Sequence, residues 1–327
     1  MAAVARKLRL EFPGAIYHVI NRGNYRAWIF REPDSRAAFQ SCLFEACERS
    51  QWLLHAFVIM GNHFHLALET PAGNLVRGMH WLQATFALRF NRYRREHGHL
   101  FQGRYKSLIV EDGLPLGQLC HYIHLNPGRA NIVGVANLAD YRHSSYWFLR
   151  SPASRPKFLR AESALVAAGG LTDTPAGQRS YEAYLDWQMA EGPAGKSKAY
   201  VNLSRGWALG SRDFKMALVK DYDLAADVRA LELCGKLEVS EMRWSAALAQ
   251  GLVALHKSNT DALADPKSSS WKLALAAWLK GRTDVSNTWL ATHLHLGTPG
   301  AFAHNLTCFR RAEPLKNPWW RMLVSRP

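Results

Sequence analysis

Residues 15–21 are rich in apolar, aromatic and β-branched side chains and run to a polar exit at Asn21-Arg22-Gly23-Asn24, which predicts a strand. Residues 33–49 predict a helix opening near Asp34 or Ser35. Residues 52–60 and 63–69 read as the two strands of a hairpin around Gly61-Asn62. Gly and Asn tolerate the positive φ that tight two-residue loops demand. Residues 75–96 predict a long helix, 107–110 a short strand, and 114–125 a helix with Leu116, Leu119, Tyr122 and Ile123 at three- and four-residue steps. Strand, helix, strand, strand, helix, strand is the split β-α-β, ferredoxin-like plan of an α+β domain, with an antiparallel sheet and helices on one face. The 114–125 helix follows that unit and is free to lie across the sheet or to dock elsewhere.

Past residue 150 the pattern changes. Ser, Pro and Arg dominate 151–156, which marks a boundary after a first domain at 1–150. Residues 151–215 read as a partly helical connector, broken at Gly192-Pro193-Ala194-Gly195. A helical domain at 216–327 follows, with apolar faces over 244–256 and 271–279. Within it, 287–306 has the form of a helix-turn-helix: Leu290, Ala291 and Leu294, a turn at Gly297, then Thr298 as N-cap and Pro299 in the first turn. A plain helical bundle fits the same pattern; Arg310 and Arg311 at the helix end favour DNA.

Charge narrows the partners. Lys plus Arg number 41 against 26 Asp plus Glu, a net +15, with a pI near 9.8. Such an excess suits a polyanion, with nucleic acid ahead of a membrane surface. No apolar run is long enough to span a bilayer, so no membrane partner is expected. The five cysteines lack C-x-x-C spacing, which argues for a reducing cytoplasm and against a zinc finger. The densest basic stretch sets Arg89, Arg92, Arg94, Arg95, Arg104 and Lys106 among Phe90, Tyr93, Phe101 and Tyr105. Arginines neutralise phosphates and flat rings stack on unpaired bases, so the basic residues of this stretch and Tyr105, with Arg22, are candidate DNA contacts. Phe86 and Phe90 are expected to face the core.

Two local patterns carry chemistry. On the strand at 63–69 side chains alternate, so His63 and His65 share a face while Phe64 points away. Two imidazoles side by side on a strand can grip one divalent metal, although a bare His-x-His also fits two half-buried histidines with local hydrogen bonds. Tyr122 and Asn126 stand four residues apart on one helix face. Pro127 is expected to end that helix, leaving Asn126 at or just past its last turn.

Taken in order, residues 57–69, Phe101-Gln102-Gly103-Arg104-Tyr105 and Tyr122-Ile123-His124-Leu125-Asn126-Pro127 resemble the single-tyrosine HUH transposases, in particular the REP-associated tyrosine transposase branch, here with an added C-terminal helical domain. The resemblance covers roughly the first 145 residues. It implies that His63 and His65 hold Mg²⁺ or Mn²⁺ with Asn126 as third ligand, and that Tyr122 is the nucleophile. It also implies single-stranded DNA with hairpins as substrate, cut to a 5′-phosphotyrosine and a free 3′-OH, in the cytoplasm beside the nucleoid. Monomer and homodimer both stay open. Two other readings fit the residues: a DNA-binding regulator with a dispensable catalytic domain, and a metal-dependent nuclease using water, with Tyr122 structural.

Overall fold

Four antiparallel strands come together because each carries an apolar stripe that must be covered. In the computed structural model, which describes residues 9–190, 203–204, 206–221, 233–311 and 317–324, β1 is Ala15–Arg22, β2 Leu53–Ile59, β3 His63–Thr70 and β4 Lys106–Val110. Their order is β2-β3-β1-β4, the ferredoxin-like arrangement, and a short β5 (Ala208–Leu209) adds to β4 in parallel. The chain divides into two compact units, Met1–Asp221 and Tyr222–Pro327.

Helices α1 (Pro33–Ser50) and α2 (Leu75–Arg94) cover one face of the sheet. The rings of Phe30, Phe39, Phe64 and Phe86 meet there, with centroids 4.7 Å apart for Phe39 and Phe64 and 5.1 Å for Phe39 and Phe86. As expected, Phe86 is buried; Phe90 is half-buried. Trp52 is wholly buried, donates Nε1 to Asn74 Oδ1 at 2.8 Å, and sits against Gly78 of α2, where a Cβ would collide with its ring.

The hairpin turn falls at Gly61-Asn62, with Met60 N–H bonding the His63 carbonyl at 2.8 Å. Neither turn residue has positive φ, contrary to the reason the sequence suggested. Glycine is needed at 61 because a Cβ there would run into the ring of Trp28.

The helix carrying Tyr122, α3 (Leu114–Arg129), packs on the opposite face from α1 and α2. Its stripe of Leu116, Leu119, Cys120 and Ile123 is buried against Ile16, Ala56, Val58, Ala67 and Leu108. Burying each leucine or isoleucine is worth about 1.5–3 kcal/mol. Contrary to expectation, α3 runs through Pro127, so Asn126 is an ordinary helical residue. The proline removes one amide from the ladder, the bond that residue 127 would make to the Ile123 carbonyl, and the turn beyond it still closes. Beyond it Ala130 N–H bonds Asn126 at 3.0 Å and Ile132 N–H bonds Pro127 at 2.9 Å. His124, fully buried, joins α3 to its surroundings: Nδ1 lies 2.7 Å from the Tyr181 hydroxyl and Nε2 2.8 Å from Ser145 Oγ. Burial pushes its pKa down to about 3.

The described parts of the segment expected as a connector pack into the first unit, while its expected break at Gly192-Pro193-Ala194-Gly195 lies outside the described residues. After α4 (Ser145–Arg150), Leu54 N–H bonds the Phe158 carbonyl and Arg160 N–H the Leu54 carbonyl, both at 2.8 Å, along the open side of β2. Helix α5 (Glu162–Ala167) lies so close to Gly117 that a Cβ would strike Ala167. Helix α6 (Pro175–Ala190) contributes Tyr181 and Leu185 to the core under α3, and Leu203 and Leu209 join them. Both sheet edges are thus occupied within the chain, which removes open pairing sites. The first unit closes with α7 (Arg212–Asp221).

The second unit holds six described helices, Leu233–Ala254, Asn259–Ala264, Ser270–Arg282, Asn287–His293, Pro299–Arg311 and Pro318–Val324. They close around Trp271, Leu275, Leu279, Leu290 and Phe302. The expected short helix, turn and second helix occur, with left-handed His295 and Gly297 in the turn and Thr298 Oγ1 accepting from Ala301 N–H. Among the described residues no helix is long and apolar enough to cross a membrane.

Candidate functional site

The β-ladder decides which side chains meet. In register, Ile20 faces His65, Arg22 faces His63 and His18 faces Ala67, so His18, His63 and His65 all project to the α3 side. The His63 and His65 rings are 5.1 Å apart, as the alternation predicts. His18, which the sequence reading passed over, stacks on His65 at 5.2 Å, with Nε2 3.0 Å from His65 Nδ1 and Nδ1 2.7 Å from the Leu203 carbonyl. Tyr122 meets these rings edge-on, 5.6 Å from His65 and 6.2 Å from His18. Arg129, two turns along α3, holds its guanidinium 6.0 Å from the Tyr122 ring. It too was missed, being a single arginine beyond a proline.

Burial keeps the imidazoles neutral. His63 is lowered to about 4 by burial and then by the Arg22 charge. His18 also falls to about 4, mainly through burial, and His65 lies well below the ordinary imidazole value for the same reason. The His63 tautomer follows from its neighbour. Asn62 donates Nδ2 to the Arg26 carbonyl at 3.2 Å, which turns its Oδ1 to accept from His63 Nδ1 at 2.7 Å. His63 Nε2 is therefore left with its lone pair.

These groups fit a divalent cation. Asn126, one turn past Tyr122, is half-buried, and its Nδ2 atom is enclosed with no hydrogen-bond partner. Turning the amide over would place its oxygen at that orphaned position, as an acceptor without a donor. Two neutral imidazoles and an amide oxygen supply nitrogen and oxygen donors of the kind that bind a divalent cation. Among the described residues no group of three or more His, Cys, Asp or Glu side chains is arranged for a metal.

The proposed DNA contacts divide. Arg22, at the end of β1, and Arg104 are exposed, and Lys106 is half-buried on the histidine side of the sheet, paired with Ile20. Arg92 and Arg95 are exposed at the end of α2. This end is brought to the histidine end of the sheet by the Gly23–Phe101 bridge and the Gln102 N–H bond to the Arg22 carbonyl. Arg89, in contrast, is clamped on Glu45 at 2.8 and 3.0 Å, and Arg94 pairs with Glu32 at 3.2 Å. Tyr105 does not offer a stacking face: it is buried, with the Arg9 guanidinium 3.7 Å over its ring. Strand pairing at Lys106 turns the preceding residue inward, which composition could not show. The exposed rings at this end are instead Tyr25, Trp28 and Tyr93, which line a cleft of about 850 Å³ with Arg31 and Leu100. Arg310 and Arg311 are exposed at a helix end in the second unit.

Comparison with known proteins adds to this geometry. Residues 12–126 match the family described as IS200-like transposases. No curated protein sequence matches the chain. A solved structure, that of a REP-associated tyrosine transposase bound to a REP hairpin, is similar at 13% identity and a TM-score of 0.37, over 50% of this chain and 93% of that one. The family match opens just before β1 and ends at Asn126, so it takes in all three histidines and Tyr122. Over residues 12–126, which hold the histidine strand and the tyrosine helix, the chain is therefore similar to the IS200-like transposases.

Proposed function

We propose that this transposase is a metal-dependent, single-strand DNA endonuclease and strand transferase that cuts and rejoins DNA beside hairpins of the REP type. The observation that carries the reading is the Tyr122 ring set 5.6 Å from His65, above an imidazole pair whose other elements leave it neutral. His63, His65 and Asn126 would hold the cation, which draws charge off the phosphate oxygens and orients the phosphorus. Tyr122 Oη attacks that phosphorus. The bond to the 3′ oxygen breaks as the Tyr122–phosphorus bond forms, the phenolic proton is lost, and the 3′ oxygen gains one. A 5′-phosphotyrosine retains the phosphodiester's energy, so the reverse attack by a 3′-OH rejoins strands without ATP. Arg129 stands beside the ring, where its charge faces an incoming phosphate.

The test is covalent trapping. Protein incubated with hairpin DNA labelled on the 3′ side of the cut, with Mn²⁺, should give a denaturation-resistant adduct. Tyr122→Phe should bind DNA and give none. Tyr105→Phe is the control, and because the Tyr105 hydroxyl is buried without a hydrogen-bond partner, its loss should leave adduct formation intact. An adduct with Tyr122→Phe sinks the nucleophile assignment; cleavage without any adduct in the unaltered protein favours a water-using nuclease.

The C-terminal unit supports an accessory DNA-binding role, through the helix-turn-helix of residues 287–311 with Arg310 and Arg311 exposed at its end. Replacing both arginines by alanine in the full chain should weaken duplex binding while the adduct still forms. Unchanged duplex affinity would count against it.

A further inference from the structure

The histidine pair draws its two proton arrangements from different sources, and only one of them is local. For His63 the source is the neighbouring Asn62 side chain. For His65 it is another histidine 47 residues away, which is completely buried and which no part of the proposed reaction uses.

The geometry points to His18 as a positioning residue that fixes the tautomer of His65, with the carbonyl of Leu203 as the origin of the relay. This rests on the reading of His63 and His65 as metal ligands. A backbone carbonyl can only accept, so the 2.7 Å contact to Leu203 places the His18 proton on Nδ1. Neutral His18 then has its lone pair on Nε2. That atom lies 3.0 Å from His65 Nδ1, which must therefore donate. With its proton on Nδ1, His65 has Nε2 bare, the same tautomer that Asn62 imposes on His63.

The contacts also exclude a simpler role. Both His18 nitrogens are engaged, one by a carbonyl and one by His65, so His18 has no lone pair for a metal. Its near-parallel stack on His65, with 24° between the planes, holds the ring as well as the proton. A partner of this kind is worth ten- to a hundredfold in metal affinity when removed. Leu203 belongs to the stretch that leads into β5, so the arrangement of the metal ligand depends on chain that arrives long after the histidine strand.

The test uses full-length, metal-free protein labelled with ¹⁵N on histidine. Imidazole nitrogen–carbon-proton correlations should show His65 protonated on Nδ1 and bare on Nε2. In His18→Phe that preference should disappear, and Mn²⁺ affinity should fall ten- to a hundredfold. His18→Gln places an amide oxygen near the lost Nε2 and should recover part of both. Should His18→Phe not fold, the unaltered protein's spectrum and His18→Gln carry the test. A proton on Nε2 of His65 in the unaltered protein overturns the inference. So does Mn²⁺ affinity in a folded His18→Phe equal to that of the unaltered protein. His63→Ala separates the two levels: if it abolishes Mn²⁺ binding while His18→Phe does not affect it, only the positioning role falls. If His63→Ala leaves Mn²⁺ binding intact, the metal-site reading fails and takes this inference with it.

Discussion

Mild acid should distinguish the proposed metal site from a pair of exposed histidines. Free imidazole titrates near 6.5, so at pH 5.5 each ring would be about nine-tenths protonated, and a site needing two neutral rings would weaken ~100-fold. Here burial and the Arg22 charge hold His63 at about 4, and burial holds His65 well below its ordinary value. At pH 5.5 a group titrating at about 4 is protonated only ~3% of the time, so proton competition costs almost nothing. Asn126 does not titrate at all. The expected result is Mn²⁺ affinity constant within about threefold from pH 7.5 to 5.5, with the loss beginning only as pH approaches 4. Free Mn²⁺ measured by electron paramagnetic resonance during titration of metal-free protein, without DNA, reads this directly. Circular dichroism at each pH checks that the fold persists. A tenfold or greater weakening by pH 5.5 in folded protein would refute the claim that burial keeps these ligands neutral.

Three more expectations follow from other contacts. Gly78→Ala should destabilise the first unit by about 2 kcal/mol in urea unfolding despite the better helix propensity of alanine, because the buried Trp52 ring blocks a Cβ; a stabilised variant would contradict that packing. Hairpin affinity should fall more, and lose more salt dependence, in the pair Arg92→Ala, Arg95→Ala than in Arg89→Ala, whose side chain is held by Glu45; equal losses would restore Arg89 as a DNA contact. His124 lowers stability in acid: folded it titrates at about 3, unfolded near 6.5, so its contribution is complete above 6.5 and erodes as pH falls toward 3, by about 3 kcal/mol at pH 4.5. Hydrogen exchange of α3 peptides across urea should show His124→Phe with a flatter acid dependence than the unaltered protein; parallel curves would remove His124 from the cause.

What could be read from the chain alone was local. The alternation that puts His63 and His65 on one face, and the three- and four-residue rhythm that sets Tyr122 on a helix, are short-range consequences of strand and helix geometry. The ferredoxin-like plan followed from element order. It even held an unused clue: β1 lies beside β3 in that plan, so a histidine in β1 had a fair chance of reaching the pair. Choosing His18 required the register, which puts Ile20 against His65, and that is not visible along one strand. Burial of Tyr105 and the neutralisation of Arg89 by Glu45 likewise depend on partners 96 and 44 residues away. Pro127 misled in the opposite direction, since a helix can lose the one amide bond that proline denies it and still complete the turn beyond.

Helix α6 and the stretch around Leu203 change how the first unit comes into being. A chain made from its N-terminus has all four long strands and the tyrosine helix by residue 129, yet α3 still lacks its cover of Tyr181 and Leu185, and β4 its edge partner. Leu203, whose carbonyl the buried His18 requires, emerges later still. A nascent chain thus carries Tyr122 well before Tyr181, Leu185 and Leu203 have emerged to complete its surroundings. The same dependence makes a fragment ending at residue 150 an unsound way to isolate the activity, since it would expose the apolar face under α3 that α6 covers.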